Sequence, residues 1–99
     1  SLEEYRGTLA DHKLVVIDFF ATWCGPCKTI APLVVEASNQ PEFQHIHFAK
    51  IDVEELEAVS EEVGIRAMPT LVLFKDGKKV EEIVGPAPNA LIEFFKKAE

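Results

Sequence analysis

Cysteine is scarce in this 99-residue chain, where Cys24 and Cys27 are the whole complement. Two cysteines cannot staple a disulfide-dense secreted scaffold, and they cannot alone fill the four ligand positions of a structural zinc site. Positive charge is also short. Ten Lys and Arg stand against seventeen Asp and Glu, for a formal net charge of −7. That balance argues against nucleic acid and anionic membranes as partners, since both are bound by clustered Lys and Arg. Long apolar runs are missing too. The most apolar stretch, residues 14–21, is interrupted by Asp18, whereas a membrane-spanning helix needs about 20 apolar residues. No basic segment followed by an apolar one marks a signal peptide. Internal repeats and low-complexity segments are absent from the sequence. What remains is an acidic globular domain, expected to be one unit over residues 1–99 and to reside in a reducing, cytoplasmic interior.

The residues present fall into a regular pattern. Ser1-Leu2-Glu3-Glu4 has the form of a capping box, opening a helix over residues 1–10. Residues 14–20 are almost all apolar, β-branched or aromatic, as in a strand buried on both faces. A helix then opens at Cys24-Gly25-Pro26-Cys27 and runs to about residue 39, with Pro26 in its first turn and Pro32 inside it. Residues 45–52 read as a second buried strand, and 55–63 as a helix stopped by Gly64. Strands over 70–74 and 79–84 flank the turn Lys75-Asp76-Gly77-Lys78. A closing helix over 89–97 has Leu91, Ile92, Phe94 and Phe95 on its apolar side. Phe19, Phe20, Phe48, Phe74, Phe94 and Phe95 are assigned to the core, and the acidic run over 54–62 to a solvated helix face. Strands separated by helices imply parallel crossovers, and the last pair implies an antiparallel hairpin. The expected fold class is α/β, with a central mixed sheet flanked by helices on both faces.

The two cysteines stand three apart at a helix start, which puts them on one face with β-carbons about 5–6 Å apart. Small adjustments bring that spacing within reach of a disulfide. Cys24 lies where unpaired amides and the helix dipole favour an anion, so its thiol is expected to ionise readily and attack first. Cys27, one turn further in, is expected to be less exposed and to act second. Three other readings compete: a zinc site completed by histidines, a purely structural disulfide, and chance. His45 and His47 share a strand face in this reading, but nothing places them near Cys24. The buried strand before the pair, the Gly-Pro between its members and the helix start together favour redox chemistry. Asp18 is an expensive residue to bury, so its pKa is expected to be raised.

The segment Val16-Ile17-Asp18-Phe19-Phe20-Ala21-Thr22-Trp23-Cys24-Gly25-Pro26-Cys27-Lys28 resembles the active-site signature of the thioredoxin family. Ala31-Pro32, Lys50-Ile51-Asp52-Val53, Val63-Gly64-Ile65-Arg66-Ala67-Met68-Pro69-Thr70, Lys75-Asp76-Gly77 and Gly85 extend the resemblance over nearly the whole chain. Val84-Gly85-Pro86-Ala87 has a fungal look. The resemblance implies a thioredoxin fold and a protein-disulfide reductase. Cys24 would be the attacking nucleophile, Cys27 the resolving thiol and Asp18 the proton acceptor for Cys27, with Lys50 beside Asp18. It further implies a cis bond before Pro69 that leaves the backbone of residue 68 free to pair with a substrate strand. A flat docking patch would comprise Trp23, Gly25, Pro26, Val53, Met68, Pro69, Val84 and Gly85, with core packing the lesser reading of Trp23. No cofactor is implied in the domain itself. NADPH would be used indirectly through a thioredoxin reductase, and the clients would be disulfide-containing proteins such as peroxiredoxins.

Gly25-Pro26 favours a reductant over an oxidase or isomerase, whose pattern carries histidine in place of this proline. A binding scaffold on the same fold is the rival of a different class. One departure from the family is plain: its members have a strand before the first helix, whereas this chain begins at that helix. Four strands are therefore expected instead of five, with the strand around Phe48 left as an open edge. A truncated chain, a dimer or strand exchange is the expected consequence.

Overall fold

The most apolar stretch of the sequence becomes the middle of the sheet. In a computed structural model describing residues 2–98, the elements are helix α1 (Leu2–Asp11), strand β1 (Leu14–Phe20), helix α2 (Gly25–Ser38), strand β2 (His47–Asp52), helix α3 (Glu57–Val63), strands β3 (Thr70–Lys75) and β4 (Lys78–Val84), and helix α4 (Pro88–Lys96). The Ser1 half of the expected capping box lies outside the described residues. A short 3-10 turn at Pro41–Phe43 was not foreseen. It takes up the sequence before β2, so that strand starts at His47 and leaves His45 outside it. His45 instead places Nε2 2.7 Å from the Ala98 carbonyl oxygen, and His47 stacks on His12 with ring centroids 3.9 Å apart.

The four strands lie in the order β2-β1-β3-β4. β1 pairs parallel with β2, joined by α2, and antiparallel with β3. The antiparallel β3 corrects the expectation of a parallel crossover through α3. That helix has seven residues and is about 10 Å long, too short to carry the chain back along a six-residue strand of about 20 Å. The chain therefore leaves β2 and enters β3 at the same end of the sheet, where Thr70 pairs with Phe19. β3 and β4 form the expected hairpin. Asp76 (φ 53°) and Gly77 (φ 81°) both take the left-handed conformation that a tight hairpin turn requires.

Side chains alternate across β1, and this alternation positions the site. Leu14 and Val16 join Ile30, Leu71, Leu91 and Phe95 in the core beneath α2 and α4. Val15, Ile17 and Phe19 face the other way, with Tyr5, Val59 and Phe74 beneath α1 and α3. Asp18 and Phe20 keep step with Leu14 and Val16 and so point to the α2 side. Phe20 and Phe48 are only half-buried, contrary to their assignment to the core. Phe20 ends its strand and Phe48 sits on the open edge β2, so neither is covered completely.

Gly64 caps α3 with φ 86°, and its N–H donates to the Ser60 carbonyl. A β-carbon there would meet nothing within 4 Å, so any cost of Gly64→Ala comes from the left-handed backbone. The substitution is expected to lower the unfolding free energy by about 1 kcal/mol. An unchanged urea midpoint would contradict this cap.

Candidate redox site

β1 ends at Phe20, and Ala21-Thr22-Trp23 turns the chain into α2. The turn is closed by the Cys24 N–H donating to the Ala21 carbonyl at 3.1 Å. Cys24 is the N-cap of α2, with extended backbone angles (φ −84°, ψ 112°). Its Sγ accepts the backbone N–H of Cys27 at 3.1 Å, in the place where a cap oxygen usually sits. Pro26 occupies the first turn, where its missing N–H loses nothing. Cys24 and Cys27 are joined as a disulfide with Cα atoms 5.3 Å apart. The expected difference in exposure between them is absent, since each is 4% exposed. Phe20, Val53 and Met68 pack over the pair together with Ala21 and cover both cysteines.

Asp18 is 5% exposed, and its Oδ1 has no hydrogen-bond partner among the described residues. Burial pushes its carboxyl up to about 6, partly opposed by the charge of Lys50. Lys50 lies directly across from Asp18 in the β1–β2 register. Its exposed side chain carries Nζ 5.8 Å from the centroid of the Phe20 ring, within the range of a cation–π contact. Asp18, Cys27 and Lys50 line one cavity of about 360 Å³. The buried acid, the inner cysteine and the lysine therefore share a single space. Phe20, Ala21, Thr22, Lys28 and Ala31 complete its wall, and none of them is a site residue in the sequence reading. The signal was available: Ala31 follows Cys27 by four residues on one helix face, and Phe20 follows Asp18 by two on one strand face.

The expected docking patch divides by depth. Trp23 is 67% exposed, which removes its core reading, and Val84 is 52% exposed. Gly25, Pro26 and Gly85 are also exposed, and Val53 and Met68 are half-buried. Pro69 is fully buried beneath them, and the peptide bond from Met68 to Pro69 is cis. The Gly85 N–H donates to the Pro69 carbonyl at 2.8 Å, tying the end of β4 to the start of β3. β3 begins at Thr70, so Met68 lies outside the sheet.

Among the described residues, no group of three or more His, Cys, Asp or Glu is placed to hold a metal ion. No helix among them is long and apolar enough to cross a membrane.

The thioredoxin family model matches residues 1–97. Thioredoxin-2 of Pyricularia oryzae is 51% identical over 89 residues, covering 90% of this chain and 51% of that protein. The chain thus spans about half the length of that relative. The solved thioredoxin of Malassezia sympodialis superposes with a TM-score of 0.93 at 43% identity, covering 98% of this chain and 87% of that one. A yeast chain, solved to explain thiol resolution in a mitochondrial 1-Cys peroxiredoxin via glutathione/thioredoxin systems, has a TM-score of 0.90 at 37% identity. It covers 98% of this chain and 90% of that one.

Proposed function

The chain belongs to the thioredoxin family, and from that membership we propose that it reduces disulfides in client proteins through Cys24 and Cys27. The observation that carries the reading is the Cys24 sulfur at the cap of α2, held by the Cys27 N–H. The same contact stabilises a thiolate, which is the reactive form.

In the first exchange the Cys24 thiolate attacks a client disulfide. A Cys24–client bond forms, the client S–S bond breaks, and the second client sulfur leaves as thiolate. Cys27 then gives its proton to the Asp18 carboxylate and attacks Cys24 Sγ, releasing the first client sulfur. The dithiol has passed two electrons to the client and is left as the Cys24–Cys27 disulfide. Their shared cavity supports the transfer from Cys27 to Asp18. Lys50 favours the ionised form of the acid, the form that can receive the proton.

A thioredoxin reductase drawing on NADPH would restore the dithiol, and the domain over residues 1–99 would itself hold no cofactor. Peroxiredoxins are a client class suggested by the yeast neighbour. A reducing, cytoplasmic compartment suits a couple that must be returned to the dithiol. Reduction of insulin disulfides by the purified chain, supplied with dithiol and followed by turbidity, tests the activity. No acceleration over dithiol alone would leave a binding scaffold in its place.

The exposed apolar side chains of Trp23, next to Cys24 in the chain, and Val84, opposite Thr70, support docking of extended client segments. The cis bond before Pro69 belongs to this reading, with the residue 68 backbone free to pair with the client. Trp23→Ala or Val84→Asp is expected to raise KM for a protein client about tenfold or more. The effect on a small aromatic disulfide is expected to be much smaller. Equal losses on both substrates would place these residues in the chemistry instead. The open edge of β2 supports pairing with a further strand, either from the same polypeptide or exchanged with a second copy as a dimer. Light scattering at rising concentration separates the two, because only the second increases the mass.

A further inference from the structure

Thr70 is the first residue of β3 and is 2% exposed. It keeps step with Val72 and Phe74 along the strand and pairs with Phe19, so its side chain belongs to the apolar face beneath α1 and α3. Valine has the same shape and would suit that face on burial alone. The hydroxyl has a partner in the preceding segment: Oγ1 donates to the Ala67 carbonyl at 2.5 Å. A buried hydroxyl is costly unless bonded, and this bond offsets that cost.

The bond falls beside the redox pair. Residues 66–68 lie outside helix and strand, and Met68 packs over the Cys24–Cys27 disulfide. The carbonyls on both sides of Met68 are taken, that of Ala67 by Thr70 Oγ1 and that of Pro69 by the Gly85 N–H. The N–H and C=O of Met68 itself have no partner among the described residues. A free amide and carbonyl between two fixed peptide units form an edge that an extended segment can pair with, and the flanking units set its direction.

We propose that Thr70 is a positioning residue for client binding: its hydroxyl holds the Ala67 carbonyl and so aims the Met68 backbone at an extended client segment. The inference rests on the client docking proposed above and names what sets its geometry. Thr70 acts through the backbone at 67 and 68 and takes no part in the exchange of sulfurs. Ala67 is exposed, so without the bond its carbonyl turns to water and the segment loses its fixed direction. Client binding must then also order that segment, which weakens binding and leaves the chemistry alone.

Two substitutions separate the hydroxyl from the packing. Thr70→Val removes the hydroxyl and keeps the shape, whereas Thr70→Ser keeps the hydroxyl and removes a buried methyl. In reduction of insulin, Thr70→Val is expected to raise KM about fivefold, with kcat changed less than about twofold. Thr70→Ser is expected to keep the KM of the parent chain while melting below it, because of the cavity it leaves. An unchanged KM in folded Thr70→Val, an equal rise in Thr70→Ser, or a fall in kcat as large as the rise in KM would overturn the role. Backbone amide shifts of residues 66–68 in ¹⁵N-labelled protein give a readout that needs no client: Thr70→Val is expected to move them and Thr70→Ser to leave them near the parent positions. Amides unmoved by Thr70→Val would overturn the positioning whatever the kinetics. Moved amides in a chain that reduces no insulin would keep the hold on Ala67 and overturn the reductase reading instead, so the two failures are distinguishable.

Discussion

Asp18→Asn is expected to raise the melting temperature by about 10–20 °C at pH 8 and to leave it unchanged at pH 3.5. The sign follows from the two protonation states. The carboxyl titrates at 3.8 in the unfolded chain and at about 6 in the folded one, because burial disfavours its charge. Between those values the native state holds the extra proton, so stability falls as pH rises through that window. Above about 6 the folded protein carries the full cost of a buried carboxylate, roughly 3 kcal/mol. Below 3.8 both states are protonated and the cost vanishes. Asparagine keeps the shape and removes the charge, so only the higher-pH penalty disappears. Thermal unfolding of both proteins across pH 3.5–8 checks the prediction. A gain independent of pH would show that packing, and not ionisation, is what Asp18 costs. The substitution is also expected to slow the second exchange. A residue that destabilises its own fold above pH 6 while lying beside Cys27 has the profile of a functional acid.

The two cysteines are expected to fail in different ways. Cys24→Ser abolishes reduction of client disulfides, because a hydroxyl at the helix cap does not supply the thiolate that opens the S–S bond. Cys27→Ser still attacks but cannot release, so one equivalent of client accumulates as a covalent adduct on Cys24. Mass spectrometry after mixing with a disulfide client distinguishes the outcomes: no adduct for the first variant and a stoichiometric adduct for the second. The assignment has a structural basis, since Cys24 holds the cap and Cys27 faces the Asp18 cavity. Equal burial of the two sulfurs means that accessibility does not rank them. An adduct on Cys27 in the Cys24→Ser protein would reverse the order of attack.

Much of this site was legible because its logic is local. Cysteines three apart at a helix start, a proline between them and a carboxylate in an apolar strand are statements about neighbouring residues. Asp18 was expected to be buried and raised, and it is both. What escaped was set by chain geometry over longer distances. The direction of β3 depended on α3 being too short to recross the sheet, which a pattern of alternating strands and helices does not reveal. Thr22 and Lys28 became walls of the cavity only once α2 was laid against β1 and β2. The depth of Trp23 was undecidable from its apolar character, since a tryptophan suits a core as well as a docking surface. The shift of β2 to His47 came from a three-residue 3-10 turn, too short to leave a periodic signal.

The central claim is that Cys24 and Cys27 form a reducing couple, and its equilibrium reduction potential tests that most directly. Trp23, next to Cys24 and the one tryptophan of the chain, provides the fluorescence signal in defined thiol–disulfide buffers. Thioredoxins typically lie at about −270 mV and protein disulfide isomerase at about −180 mV. The account predicts a value near the first. A value near the second would make the protein an oxidant or isomerase and contradict the direction of electron flow proposed here.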